Sequence, residues 1–148
     1  MNAINRATEM EDVRVNVKVK LAALWTAMML LYIYADILSL FRPGQVENMM
    51  KGLMGPFPVT QASLLTASTL MIIPAVMVFL SLTLKPGVDR WANITLGLLY
   101  TAVNISNLLG EPWAYYIFFG VLEIVITLLI VWHAWKWPTQ VSPDNMIQ

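Results

Sequence analysis

The chain has 148 residues, of which 58% are hydrophobic and 12% are charged, and its formal net charge is zero. Soluble domains are less apolar and more highly charged, so this composition is that of a membrane protein, of a length that suits one domain. Zero net charge argues against a nucleic-acid partner, and the lack of cysteine excludes a disulfide framework.

Residues 1–20 are polar and predict a cytoplasmic N-terminal segment. Thr8 and Glu11 have the spacing of a capping box, which would start a helix. Valines then alternate with polar residues from Val13 to Lys20, which is a strand pattern when taken alone. Because the rest of the chain offers no partner strand, we expect a helix near the membrane that continues into the first span.

Four apolar runs are long enough to cross a hydrocarbon core, which requires about 20 residues of helix. They are residues 21–41, 61–84, 91–109 and 113–135. The predicted fold is therefore all-α, a transmembrane four-helix bundle within residues 21–137. A flexible cytoplasmic tail is expected at residues 138–148.

Positively charged residues predict the orientation of the spans. Two of them, Arg42 and Lys51, lie on one side of the predicted membrane. The others lie on the opposite side: Arg6, Arg14, Lys18, Lys20, Lys85, Arg90 and Lys136. This bias places both termini in the cytoplasm of a multi-pass membrane protein.

The connections between the spans differ in length. A short turn leads into the third span, with Asp89 as its candidate N-cap. The longer connection between the first two spans carries apolar residues at helical spacing. These are Val46, Met49, Met50, Leu53 and Met54. They predict a short amphipathic interfacial helix on the outer membrane surface.

Polar or small residues recur at steps of four and three along the third span, and therefore share one helix face. They are Asn93, Gly97, Tyr100, Asn104, Asn107 and Glu111. The first and fourth spans contain the acids Asp36 and Glu123, and no span holds a Lys or Arg to pair with them. An unpaired Asp near a helix centre costs about 2.5–3.5 kcal/mol, so each acid needs a polar partner, water or a proton.

These groups converge on the outer half of the predicted bundle, whereas the cytoplasmic half offers little except Asn93 and Thr95. We predict an outward-facing ligand-binding pocket covered by a methionine-rich lid. The predicted lining is Asp36, Glu123, Asn104, Asn107, Tyr32 and Tyr100, and the predicted lid is Met49, Met50 and Leu53. In the alternative interpretation, Asn104 and Asn107 only hydrogen-bond between helices.

The sequence predicts neither a metal site nor a cofactor. His133 is the only histidine, so bis-histidine haem and zinc sites are excluded. Phosphate-binding loops and nucleophile motifs are absent, and no residue is assigned a catalytic role.

Several runs of the chain resemble an uncharacterised bacterial family of small four-span membrane proteins. They are VRVNVKVKLAALWTAMMLLYIYADILSLF, MGPFPVTQASLL, NISNLLGEPWAYYIFFG and WHAWKWP. The resemblance implies a location in the bacterial inner membrane and supports four spans. It implies no activity.

Three hypotheses for function follow. The first is binding or transport of a small amphipathic or cationic molecule, with Asp36 or Glu123 as counter-ion or proton carrier. The second is a membrane enzyme that acts on a lipophilic substrate, with one protonated and one ionised carboxyl as acid and base. The third is a structural or partner subunit, in which the polar stripes are contact surfaces between protomers of a homo-oligomer.

Overall fold

A computed structural model describes residues 14–137, and this part of the chain is mostly helical. Its helices are α1 (Val17–Ser39), α2 (Gln45–Met50), α3 (Gln61–Thr83), α4 (Pro86–Leu108) and α5 (Ala114–Trp135). Two short strands, β1 (Leu53–Met54) and β2 (Phe57–Pro58), lie between α2 and α3. The predicted capping box at Thr8 and Glu11 and the predicted tail at 138–148 lie outside the described residues.

Three of the long helices, α1, α3 and α5, are long and apolar enough to cross a membrane, which indicates a membrane protein. The fourth, α4, has the same length as α1 and α3, 23 residues. Its polar face, which includes Asn93, Asn104 and Asn107, lowers its average hydropathy below that of the other three.

The start of α1 agrees with a helix that enters the first span directly. The Asn16 side chain accepts a hydrogen bond from the Lys18 backbone N–H and so caps the helix. Val17 and Val19 are therefore helical, and their alternation with lysines does not produce a strand.

In the packing of the long helices, α1 contacts both α3 and α5, and α4 packs against α5. Contacts between α3 and α4 are few. Hydrogen bonds from Trp25 to Asn93 and from Tyr32 to Asn104 show that α1 and α4 run in the same direction. We call the end near α2 the connector end, and the end near Val17 and Trp135 the terminal end.

The α4–α5 hairpin is close-packed around a glycine of the predicted stripe. A Cβ atom at Gly97 would lie 2.7 Å from Val131 Cγ2, so a larger residue does not fit. One turn further on, the hydroxyls of Thr101 and Thr127 are 2.8 Å apart. Packing therefore explains why this stripe includes a glycine.

The amphipathic helix predicted over residues 46–54 is wrong in its second half. The helix ends at Met50 because Gly52 adopts a left-handed conformation with φ 74°, which terminates helices. Leu53 then pairs with Pro58 in an antiparallel hairpin. The first residue of its two-residue loop is Gly55, with φ 59°, as such loops favour.

Candidate functional site

A cavity of about 220 Å³ lies among all four long helices, in the half nearer the connector end. Two of these helices, α3 and α4, both line the cavity and make few contacts with each other. The lining residues are Tyr32, Ala35, Asp36, Ala67, Leu70, Met71, Tyr100, Val103, Asn107, Tyr116 and Glu123.

Five of the six residues predicted to bind a ligand line this cavity, and Asn104 does not. Glu123 is only 6% exposed, whereas Asp36 and Asn107 are exposed. The two acids, on the separate helices α1 and α5, thus line one cavity.

The carboxyl groups of Asp36 and Glu123 have no hydrogen-bond or ion-pair partner within residues 14–137. The ion pair in this range joins Arg42 to Glu111. Glu123 therefore combines near-complete burial with an unpaired carboxyl that faces the cavity. Such a group requires a proton, water or a cation, because an unpaired buried charge is costly.

Asn104 lies outside the cavity lining and holds the lining residue Tyr32 in place. Its side chain is completely buried, and its Oδ1 accepts a 2.5 Å hydrogen bond from the Tyr32 hydroxyl. Within the described part of the chain, its Nδ2 has no partner. Asn104 therefore orients Tyr32 and lies outside the lining itself.

Tyr100 holds α4 against α3 at the cavity wall. Its hydroxyl donates a 2.7 Å hydrogen bond to the backbone carbonyl of Leu70. In a regular helix that carbonyl would accept from residue 74, but Pro74 has no backbone N–H. The proline within α3 thus leaves a free acceptor, and a side chain of α4 satisfies it.

We expect Tyr100→Phe to lower the free energy of unfolding by about 1–2 kcal/mol, because it leaves the Leu70 carbonyl without a donor. In a Pro74→Ala background, residue 74 supplies the missing N–H, and the same substitution should cost less than half as much. Detergent unfolding of the four proteins of this double-mutant cycle measures both costs. Equal costs in the two backgrounds would contradict the assignment.

The predicted lining omitted Tyr116 and the residues of α3. Tyr116 lies seven residues before Glu123 and shares its helix face, so its spacing carried a signal. Ala67, Leu70 and Met71 belong to a helix without a polar stripe. No sequence feature distinguished them from residues that face lipid.

The predicted lid residues do not line the cavity in this structure. Met49 and Met50 are exposed, and α2 buries none of its residues. Leu53 belongs to β1 and is half-buried.

Arg42 lies at the connector end in a cluster of aromatic rings. Its guanidinium carbon is 4.9–5.5 Å from the centroids of Trp113, Tyr115 and Tyr116. It also donates a hydrogen bond to the Tyr115 hydroxyl and forms a 3.3 Å ion pair with Glu111. Glu111, predicted to continue the polar stripe of α4, thus links the α4–α5 turn to the end of α1.

The terminal half of the molecule is more polar inside than the sequence analysis expected. Asn93 and Asp89 are completely buried, and Thr95, predicted beside Asn93, is exposed. Asn93 accepts from Trp25 Nε1 (2.7 Å) and Ser81 Oγ (3.3 Å), and donates to Asp89. This network joins α1, α3 and α4.

Asp89 is also not the N-cap of α4, which is Lys85. Asp89 lies in the first turn of α4. The predicted span begins two residues later, at Trp91. Burial raises the pKa of the Asp89 carboxyl to about 6, and Lys18 and the hydrogen bond from Asn93 only partly oppose this.

This pKa makes stability depend on pH. Because the pKa of Asp89 in the folded protein is above its ordinary value of 3.8, the carboxyl favours folding below about pH 4, and this contribution is lost as the pH rises through about 6. Asp89→Asn removes the titrating group. We expect its melting temperature to fall less than that of the wild type between about pH 4.5 and 7.5. An equal fall in melting temperature for the wild type and Asp89→Asn would contradict the expectation.

Metal ligands do not cluster in the described part of the chain, where no three His, Cys, Asp or Glu side chains come together. Among residues 14–137, no Arg, Lys or His side chain lines the cavity. The chemistry on offer is therefore that of two carboxyls, three phenols and one amide among apolar side chains.

A model of a family of unknown function, DUF6326, matches residues 9–142 of the chain. No curated protein and no solved structure matches the chain.

Proposed function

The chain belongs to the DUF6326 family of unknown function, and we propose that it is a four-span membrane protein whose cavity binds a small organic cation. The fourth span would lie within α4, from Trp91 onward. Its apolar residues Leu98, Leu99 and Ile105 are exposed, while Asn93 and Asn104 are buried against other helices. This arrangement suits a span that faces lipid on one side and protein on the other.

The proposal places the protein in the bacterial inner membrane with the connector end outside. Support comes from the positively charged residues of the described chain. Arg14, Lys18, Lys20, Lys85, Arg90 and Lys136 lie near the terminal end, and Arg42 and Lys51 near the connector end. Because positive charge is retained in the cytoplasm, the termini would be cytoplasmic and the cavity would open outward.

The observation that carries the function is Glu123, which is 6% exposed, lines a cavity with Asp36, and has no partner or basic neighbour in that lining among the described residues. A cation supplies the missing positive charge, and the phenol rings of Tyr32 and Tyr100 add cation–π attraction, whereas the Tyr116 ring already lies against Arg42. An engineered apolar cavity of about 150 Å³ holds benzene, so about 220 Å³ suits a ligand of roughly ten non-hydrogen atoms or fewer.

Binding, with or without transport, fits this geometry better than a channel. On the terminal side, the rings of Trp25 and Tyr100 pack edge to face, with centroids 5.9 Å apart. Met28 and Trp25 are completely buried there. The cavity is thus closed below Tyr100, and a ligand that crossed the membrane would require these side chains to move.

Calorimetric titration of the purified protein tests the proposal. Tetramethylammonium and tert-butylammonium are the cationic probes, and tert-butanol is a neutral probe of similar shape. We expect at least one cation to bind and the alcohol not to bind. Equal affinity for cations and alcohol, or no binding of either cation, would overturn the proposed function.

A further inference from the structure

We propose that the cavity selects cations with N–H groups, that is primary or secondary ammonium ions, over quaternary ammonium ions. The inference depends on the proposed function and adds the chemical class of its ligand. Its basis is that two of the cavity's hydroxyl groups, those of Tyr32 and Tyr100, already donate their protons to other protein atoms.

The hydroxyl proton of Tyr32 is already used. It is donated to Asn104 Oδ1, on the protein side of the wall. A phenol has one proton and two lone pairs, so the Tyr32 oxygen can only accept a bond from a ligand. Asn104 is completely buried, so water does not compete for this bond.

The hydroxyl proton of Tyr100 is used as well. It is donated to the Leu70 carbonyl, which Pro74 leaves without its helical partner. The Tyr100 oxygen is therefore a second acceptor at the cavity. The proline contributes to ligand selection indirectly, because it determines where this phenol directs its proton.

The carboxyl of Glu123 also faces this space and, when ionised, can only accept. The remaining polar groups are Asp36, Tyr116 and Asn107, and each lies nearer the connector end of its helix. The deeper part of the cavity thus presents three acceptors, from Tyr32, Tyr100 and Glu123. An N–H donor with positive charge matches all three.

Quaternary ammonium ions would use the charge and the aromatic rings, but not these acceptors. They also lose less hydration on entering a cavity, because they donate no hydrogen bonds to water. A site that recognises charge alone should therefore prefer them. A preference for N–H cations requires protein acceptors that replace the lost water.

The test compares tert-butylammonium with tetramethylammonium, which are isomers of equal charge, in calorimetric titrations of the wild type and Tyr32→Phe. We expect the wild type to bind tert-butylammonium at least about tenfold more tightly, since charge-assisted hydrogen bonds form only with this ion. Tyr32→Phe keeps the ring and removes an acceptor. It should weaken tert-butylammonium binding about three- to tenfold and tetramethylammonium binding by less.

Equal binding of the two isomers, or tighter binding of tetramethylammonium, would overturn the inference and leave the proposed function intact. Absence of binding by both would overturn the proposed function. An equal loss for both ions in Tyr32→Phe would show that the hydroxyl acts on the fold and would remove Tyr32 from ligand selection. If Tyr32→Phe does not fold, the wild-type ratio of the two affinities decides.

Discussion

Asn93→Ala is expected to lower the free energy of unfolding by about 2–4 kcal/mol, more than any other single substitution considered. The side chain makes four hydrogen bonds, to Trp25, Ser81 and twice to Asp89, at 2.7–3.3 Å. Bonds between membrane helices average about 0.6 kcal/mol, so the two from Trp25 and Ser81 give roughly 1.2 kcal/mol, and the two to Asp89 lie within α4. The buried Trp25 N–H and Asp89 carboxylate left without a partner add to this cost.

The matched control is Asn107→Ala, which removes the same atoms from an exposed position on the same helix. Its free energy of unfolding should stay within about 0.5 kcal/mol of the wild type. Unfolding in mixed micelles with increasing denaturing detergent compares the three proteins. Similar losses for Asn93→Ala and Asn107→Ala would contradict the role of the network.

Glu123→Gln is expected to weaken binding of a small ammonium ion by at least about tenfold, and Asp36→Asn by less. Both substitutions keep the shape of the side chain and remove its charge. The interaction with Glu123 is stronger because this side chain is buried, where water and salt screen charge poorly, while Asp36 is exposed. Calorimetric titration with tert-butylammonium measures both losses.

Glu123→Gln should also raise the melting temperature of the ligand-free protein. It removes an unpaired buried carboxyl that faces a second one across the cavity. Gain of stability with loss of binding is typical of a ligand site and not of a packing position. Glu47→Gln, on the exposed face of α2, is the control and should change neither property. Unchanged affinity in both acid variants would remove the acids from binding.

Much of the site could be predicted because helical spacing determines which residues share a face. The face of Tyr100 was visible in the sequence, as were Asp36 and Glu123 within apolar runs, and the helix boundaries followed from those runs and turn residues. These features do not depend on which helices become neighbours. The cavity lining was therefore largely predictable, apart from its α3 wall.

The remaining features depend on contacts between helices, which spacing does not determine. The missing N–H of Pro74 was evident, but the partner that satisfies Leu70 comes from another helix. Asp89 had the sequence pattern of a cap and is instead buried beside Asn93. The connector diverges because Gly52 stops a helix that the apolar spacing alone would continue.

An experimental map of the protein with 4-bromobenzylammonium, a primary ammonium ion that scatters anomalously, tests the central claim most directly. We predict a bromine peak between the four long helices, with the ammonium nitrogen within hydrogen-bond distance of Glu123. An empty cavity at saturating ligand, or a peak only on the lipid-facing surface, would contradict the account.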